Sequence, residues 1–242
     1  MAFAVILEIA PEAEKIYGLF QDIKIDNRYD VAAAYRQYKA KLPEDLELSN
    51  EILNEVFHAI TLPQANTTSH KGAFLSCLAE KVDGNVVIDS RNSFARGRVP
   101  DYFGIFNEKN IEVRGHADDY LGVYQKENGF IHVTGEAIDN LGAHMSGGEI
   151  IVDGKARQYI GNYMSGGKIR VGGESWDYLG DYMTGGEITV NGDACRPIGR
   201  EMGAGAKIYL NGRTNPRAIS PDAMGEIYHK NELVWKGGKK VA

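Results

Sequence analysis

The sequence predicts a mainly β fold: a solenoid of about seven coils, with one short strand in each coil, preceded by a small helical region. Two observations carry this. Residues 135–191 are three successive copies of one nineteen-residue unit, GEAIDNLGAHMSGGEIIVD, GKARQYIGNYMSGGKIRVG and GESWDYLGDYMTGGEITVN. Each copy ends on an Ile-x-Val strand signal and carries glycine at fixed places, which accounts for most of the 29 glycines in the chain. A fixed period of this kind marks a solenoid, because one coil cannot bury its apolar side chains and stacked coils can.

Residues 1–65 do not repeat and read as a small α-rich unit. Ala4 to Ile9 has strand character, and Pro11 opens a short helix through Phe20, proline being favoured in a first turn. Asp30 to Leu42 (DVAAAYRQYKAKL) reads as a second helix that closes at Pro43. Ser49 caps a third, NEILNEVFHAITL, whose Ile52, Leu53, Val56, Phe57 and Ile60 form one apolar face. That face needs cover, either from the solenoid end or from a partner. The polar run QANTTSHK marks the boundary, with a linker over 66–71.

Coils then occupy 72–212. Gly72-Ala73-Phe74 with Val86-Val87-Ile88 reads as a degraded first coil, and Phe103-Gly104 with Ile111-x-Val113 fits the template. The copies opening at Gly115 and Gly192 are looser and one residue longer, as expected of end repeats that close a core. Residues 213–242 form a cap, with a hairpin of Ile227-Tyr228 and Leu233-Val234-Trp235 about Lys230-Asn231, then a frayed GGKKVA.

Within each coil, Ile-x-Val points two apolar side chains to one face, and Leu or Ile and Met add apolar groups from elsewhere. The repeat glycines are Gly135, Gly142, Gly147, Gly148, Gly154, Gly161, Gly166, Gly167, Gly173, Gly180, Gly185 and Gly186. They are expected at corners, where positive φ is often needed and stacking leaves no room for a Cβ.

Aligning the copies places side chains in columns. Tyr120, Tyr159 and Tyr178 share one column with Asn140 and Pro197; Tyr124, Tyr163 and Tyr182 share another with His144. Stacked at the strand spacing of about 4.8 Å, these rings make a flat amphipathic ridge and a candidate partner face. A third column holds Asp119, Asp139 and Asp177, with Gln158 and Arg196; it asks for solvent or for a basic partner.

Other classes find little support. With 33 acidic against 27 basic residues and a net charge of -6, the chain has no basic stripe for nucleic acid. No apolar run approaches the roughly 20 residues that span a bilayer, and MAFAVILEIA lacks the basic n-region and cleavage site of a signal peptide. The two cysteines, Cys77 and Cys195, form no CxxC, so the chain supplies no ordinary cysteine-ligated zinc or iron–sulfur site. Cys195 reads as a small filler, and the cysteine usage fits the cytoplasm. The histidines have no metal-ligand spacing, and there is no P-loop, Rossmann glycine run or G-x-S-x-G. Ser146 and Ser165 recur as a coil position rather than a nucleophile. No catalytic, cofactor-binding or metal-binding residue is singled out.

The copies, read as G-x-A-x-x-x-[LI]-G-x-x-M-x-G-G-x-I-x-V-x-G, resemble the GXGXG β-helix family over about residues 72–212. This family closes the large subunit of glutamate synthase. It also forms the β-helical subunit of formylmethanofuran dehydrogenase and of the related bacterial formyltransferase/hydrolase complex. The resemblance implies a right-handed single-stranded β-helix with a structural role. It implies active sites on partner subunits, which carry molybdenum or tungsten pterin, iron–sulfur or flavin, and none on this chain. The regular Met-x-Gly-Gly copies and the standalone length favour a scaffold of the formylmethanofuran dehydrogenase type, within an oxidoreductase or C1-transfer complex. The alternative is a glutamate synthase-type subunit that holds amidotransferase and synthase parts together. The helical first 65 residues fall outside the resemblance. A standalone groove enzyme, hydrolase or acyltransferase, would need a convergent acid–base pair on one face. A self-associating structural protein would need open coil ends, and the helical unit and the hairpin are placed to block them.

Overall fold

A computed structural model describes residues 11–22, 30–61, 70–92 and 97–241; the strand expected over 4–9 and most of the 64–71 boundary lie outside them. Four helices come first: α1 (Pro11–Asp22), α2 (Val31–Lys41), α3 (Asn50–Thr61) and α4 (Lys71–Ala79). The strands are β1 (Val86–Asp89), β2 (Arg98–Val99), β3 (Asn110–Arg114), β4 (His116–Ala117), β5 (Phe130–Val133), β6 (Glu149–Val152), β7 (Lys168–Val171), β8 (Gly185–Val190), β9 (Gly205–Leu210), β10 (Glu226–His229), β11 (Glu232–Lys236) and β12 (Lys239–Lys240). Ten of them form one sheet in the order β1-β3-β5-β6-β7-β8-β9-β10-β11-β12, parallel as far as β10. The chain is therefore mainly β, a parallel-strand solenoid of about seven turns with a few short helices.

The register follows the repeat. Ile131 pairs with Ile150, Ile150 with Ile169 and Ile169 with Ile188, each 19 residues on. Ile111 to Ile131 and Ile188 to Ile208 are each 20 residues on, matching the longer copies. Ile-x-Val residues point inward: Ile150, Val152, Ile169, Val171, Ile188 and Val190 are fully buried. Met145, Met164, Met183 and Met202 stack as a second buried column. In the coil before Met145 the same place is taken by buried Gln125, whose Nε2 donates to the carbonyls of Gly129 and Glu149, each at 3.0 Å. That side chain replaces packing with satisfied hydrogen bonds, so this coil closes without the methionine.

One glycine column sets how closely coils approach. Gly142, Gly161 and Gly180 have φ of 62°, 66° and 69°. A Cβ on Gly161 would lie 2.5 Å from Ile188 Cδ1 of the next coil.

Both ends are closed, by different means. The N-terminal helices pack onto the solenoid, with Leu53, Val56, Phe57 and Ile60 of α3 fully buried. Two asparagines one turn apart on α3 substitute for a missing strand. Asn50 takes the Val87 N–H at 2.7 Å and donates to Asn85 O at 2.9 Å. Asn54 takes the Asp89 N–H at 2.8 Å and donates to Val87 O at 2.7 Å. The free edge of β1 is thereby paired by side-chain amides. Ser49 caps α3 as expected, its Oγ accepting from Ile52 N at 3.2 Å, and Asp30 Oδ1 does the same for α2 through Ala33 N at 2.8 Å.

The structure corrects two boundaries. Gly72, Ala73 and Phe74 belong to α4, not to a coil; the first strand among the described residues is β1. From Gly72 to Ala79 that helix is buried or nearly so on every side, so it plugs the solenoid end. At the other end the hairpin forms as expected, with Lys230 and Asn231 at φ 50° and 67°. The tail beyond it is not frayed: Gly237 and Gly238 turn the chain so that β12 pairs with β11, and the sheet finishes on two lysines.

Gly161→Ala adds a methyl group in a left-handed position and against Ile188, so it is expected to lower unfolding free energy by about 3 kcal/mol. Urea denaturation checks this; an unchanged midpoint would mean the coils are not packed this closely.

Candidate partner-docking face

The face is built by an unusual turn. In every central coil three residues at alternate positions are left-handed, such as Tyr159, Gly161 and Tyr163 at φ 59°, 66° and 56°. Glycine accepts this readily; a tyrosine there costs about 1–2 kcal/mol. The turn alternates its N–H groups between neighbouring coils. Tyr159 and Tyr163 donate forward to Asp177 O and Asp181 O, at 3.1 and 2.9 Å, while Gly161 donates back to Leu141 O at 2.9 Å. Tyr120, Gly122 and Tyr124 do the same toward Asp139, Phe103 and Ala143.

All six tyrosines of the expected face meet on this turn, in two ring ladders. In one, Tyr102 stacks on Tyr120 at 4.5 Å and Tyr159 on Tyr178 at 4.6 Å, with Asn140 filling the rung between. In the other, Phe106, Tyr124, His144, Tyr163 and Tyr182 stack without a break at 5.3, 5.1, 5.1 and 4.8 Å. His144, expected from its column as an edge residue of the ladder, is an inner rung between Tyr124 and Tyr163, and burial lowers its pKa, which keeps it neutral at neutral pH. Ring faces are used up by their neighbours. What solvent meets is ring edges and hydroxyls, with Tyr124 36% and Tyr163 48% exposed.

The ladder is finished by a helix at one end and by a cation of the last, looser copy at the other. Tyr35 of α2 packs on Phe106 at 5.2 Å, with the Lys39 ammonium 5.6 Å from the Tyr35 ring centre. At the far end the Arg200 guanidinium lies 5.2 Å from both Tyr178 and Tyr182, so one cation covers both ladders. Arg200 is held there by buried Asp181, Nη2 to Oδ2 at 2.6 Å. Burial pushes the Asp181 carboxyl up and the guanidinium pulls it down.

The acidic column has an internal explanation. Asp101 Oδ1 accepts the Asp119 N–H at 3.2 Å, Asp119 Oδ1 the Asp139 N–H at 3.0 Å, and Asp139 Oδ1 the Gln158 N–H at 3.1 Å. Each carboxylate caps the backbone of the next coil. Crowding is greatest at the first coils. The Asp101 carboxyl is pushed up by burial and by Asp119. Asp118 is pushed up to about 6 by burial and then by Asp101, against the pull of Arg98 at 3.6 Å.

Elsewhere the surface offers less. A shallow open trough of about 620 Å³ runs over Gly129, Gly148, Gly167 and Gly186, walled by Glu127, Phe130, Glu149, Lys168 and Glu187. Two of its carboxylates are taken, Glu149 by Arg170 at 2.7 Å and Glu187 by Lys168 at 3.8 Å. Ser146 and Ser165 donate to the carbonyls of Gln125 and Met145 in the coil before. Cys195, read as a small filler, is exposed; Trp176 of the same column is 38% exposed against Arg157. Among the described residues, no group of three or more His, Cys, Asp or Glu is arranged to hold a metal ion, and no helix is long and apolar enough to cross a membrane. No protein-family model matches the chain, and no curated protein matches it.

Sequence reasoning missed Tyr102, Phe106, Tyr35, Lys39 and Arg200. The first two were reachable, since they flank Phe103-Gly104 as Tyr120 and Tyr124 flank Leu121-Gly122. Nothing in the sequence links Tyr35 to the ladder.

Tyr163→Gly is expected to be no less stable than Tyr163→Ala, because the left-handed backbone reverses the usual advantage of alanine, worth about 1 kcal/mol; both should fall below the parent through lost stacking. Thermal melts of the pair test this, and alanine the more stable would contradict the turn. For Asp118, folding favours the protonated form over the unfolded chain, whose value is near 3.8. Its contribution is therefore fully present below about pH 4 and lost as pH rises through about 6. Asp118→Asn should flatten the melting profile across that window; a profile parallel to the parent's would contradict the assignment.

Proposed function

We propose that the chain is a non-catalytic structural subunit of a multi-subunit oxidoreductase or C1-transfer complex, resembling the β-helical subunit of formylmethanofuran dehydrogenase. In this reading it is a right-handed β-helix of the cytoplasm, and its partners are other subunits, not nucleic acid or membrane. The observation that carries the reading is the ring-ladder face. Its side chains are fixed by stacking before any partner arrives, so docking there orders little that is not already ordered. Both solenoid ends are occupied by the chain's own caps, which leaves the flank as the extended surface for subunits to share. The chemistry resides on those partners, on molybdenum or tungsten pterin, iron–sulfur or flavin. This chain's contribution is a rigid separation between them.

The test is recovery of the tagged full chain from its native source at moderate salt, with mass spectrometry and metal analysis. A molybdopterin-type or amidohydrolase subunit is expected, and its loss on Tyr163→Ala with Tyr182→Ala would place the contact on the ladder. A flavin iron–sulfur protein together with an amidotransferase would favour the glutamate synthase-type alternative. The chain recovered alone and monomeric, or turning over substrate by itself, would overturn the proposal.

A further inference from the structure

Among the described residues, a fourth stacked tyrosine pair lies away from the docking face. Tyr209 of β9 and Tyr228 of β10 are register partners on the outer side of the sheet, with ring centroids 4.8 Å apart and planes 14° from parallel. Both are half-buried, so an oxidant in solvent reaches their edges. The Tyr228 hydroxyl donates to Glu226 Oε2 at 2.8 Å, which gives the phenol a carboxylate to receive its proton.

What separates this pair from the other three is what lies above and below it. Tyr159–Tyr178 and Tyr163–Tyr182 are held by Arg200 at one end, and Tyr163 by His144 at the other. Tyr102–Tyr120 sits in the more buried first coils, where desolvation pushes the Tyr102 phenol up to about 12. Tyr209 and Tyr228 instead have Thr189 on one side and Leu233 across the hairpin on the other. Joining two stacked rings through carbon requires them to pivot out of parallel. The nearby cations, Lys236 at 2.8 Å and Lys207 at 3.8 Å, pair with Glu226 beside the rings rather than cover them, and only a pair with no ring or cation over its outer faces can pivot cheaply.

We infer that Tyr209 and Tyr228 form an oxidative cross-linking site, at which a dityrosine bond staples the last coil to the C-terminal cap. The oxidant is a ferryl haem of the peroxidase class, regenerated by hydrogen peroxide. Each phenol gives up one electron to the haem and one proton, that of Tyr228 passing to Glu226 and on to water. The two phenoxyl radicals join through ortho carbons. The two ortho hydrogens are lost from carbon as both oxygens are reprotonated, which restores the aromatic rings. One hydrogen peroxide becomes two waters for each bond formed.

The test treats the dilute full chain with a haem peroxidase and limiting peroxide, isolates the monomer, and maps cross-links by tryptic digestion. The expected product joins Ile208–Arg213 to Ala218–Lys230 with loss of two hydrogens, severalfold more abundant than any link at the other three pairs. Tyr228→Phe should abolish it, and Glu226→Gln should lower its yield about tenfold, less than a fully positioned general base contributes. Unchanged circular dichroism of both variants excludes misfolding, and the parent protein tests the site on its own. A dominant link at another pair, dityrosine only between chains, or none at all overturns the site. An unchanged yield in Glu226→Gln overturns the proton route.

Discussion

Almost every residue of the central coils has its own equivalent in the coil above and the coil below, about one strand spacing away. The rest of the structure depends on that constraint. A side chain is acceptable only if it tolerates a copy of itself, or of its replacement, at that distance. Isoleucine, valine and methionine meet it by packing, and glycine by having no Cβ. Charged residues meet it by alternation, as in Glu187 against Lys168 and Glu226 against Lys207. The aspartates of the first coils meet it by accepting the next coil's N–H.

The aromatic columns show the same constraint acting on strain. A left-handed tyrosine costs about 1–2 kcal/mol, and one ring contact and one backbone hydrogen bond each return about 1 kcal/mol. A single such turn would gain almost nothing. In an array every rung supports the next, and the unusual backbone persists because its neighbours share it. The array must still be finished at its ends, by Tyr35 and Lys39 from a helix at one end and by Arg200 of the last, looser copy, held on Asp181, at the other.

The capping logic extends to the sheet. One edge is paired by the amides of Asn50 and Asn54, the other by a hairpin and a two-residue lysine strand. A solenoid with open edges would add copies of itself end to end. With both closed, the surfaces left for function are flanks, and the ring-ladder flank is the one whose geometry is fixed beforehand.

The repeat made much of this legible without coordinates. Ile-x-Val, the glycine columns, the tyrosine columns and the place of His144 among them follow from spacing alone, because a nineteen-residue period fixes which residues become neighbours; the Lys230-Asn231 turn follows instead from turn residues between two strand signals. Non-repeating residues have no such rule. That Gly72 to Phe74 form a plugging helix, that Asn54 completes a strand edge, and that Tyr35 ends a ladder begun at Tyr182 are decided by packing between segments far apart in the chain. The left-handed tyrosines lie between these cases. Period placed them in a column, but only the neighbouring coil, which supplies both the stacking ring and the accepting carbonyl, makes that backbone stable.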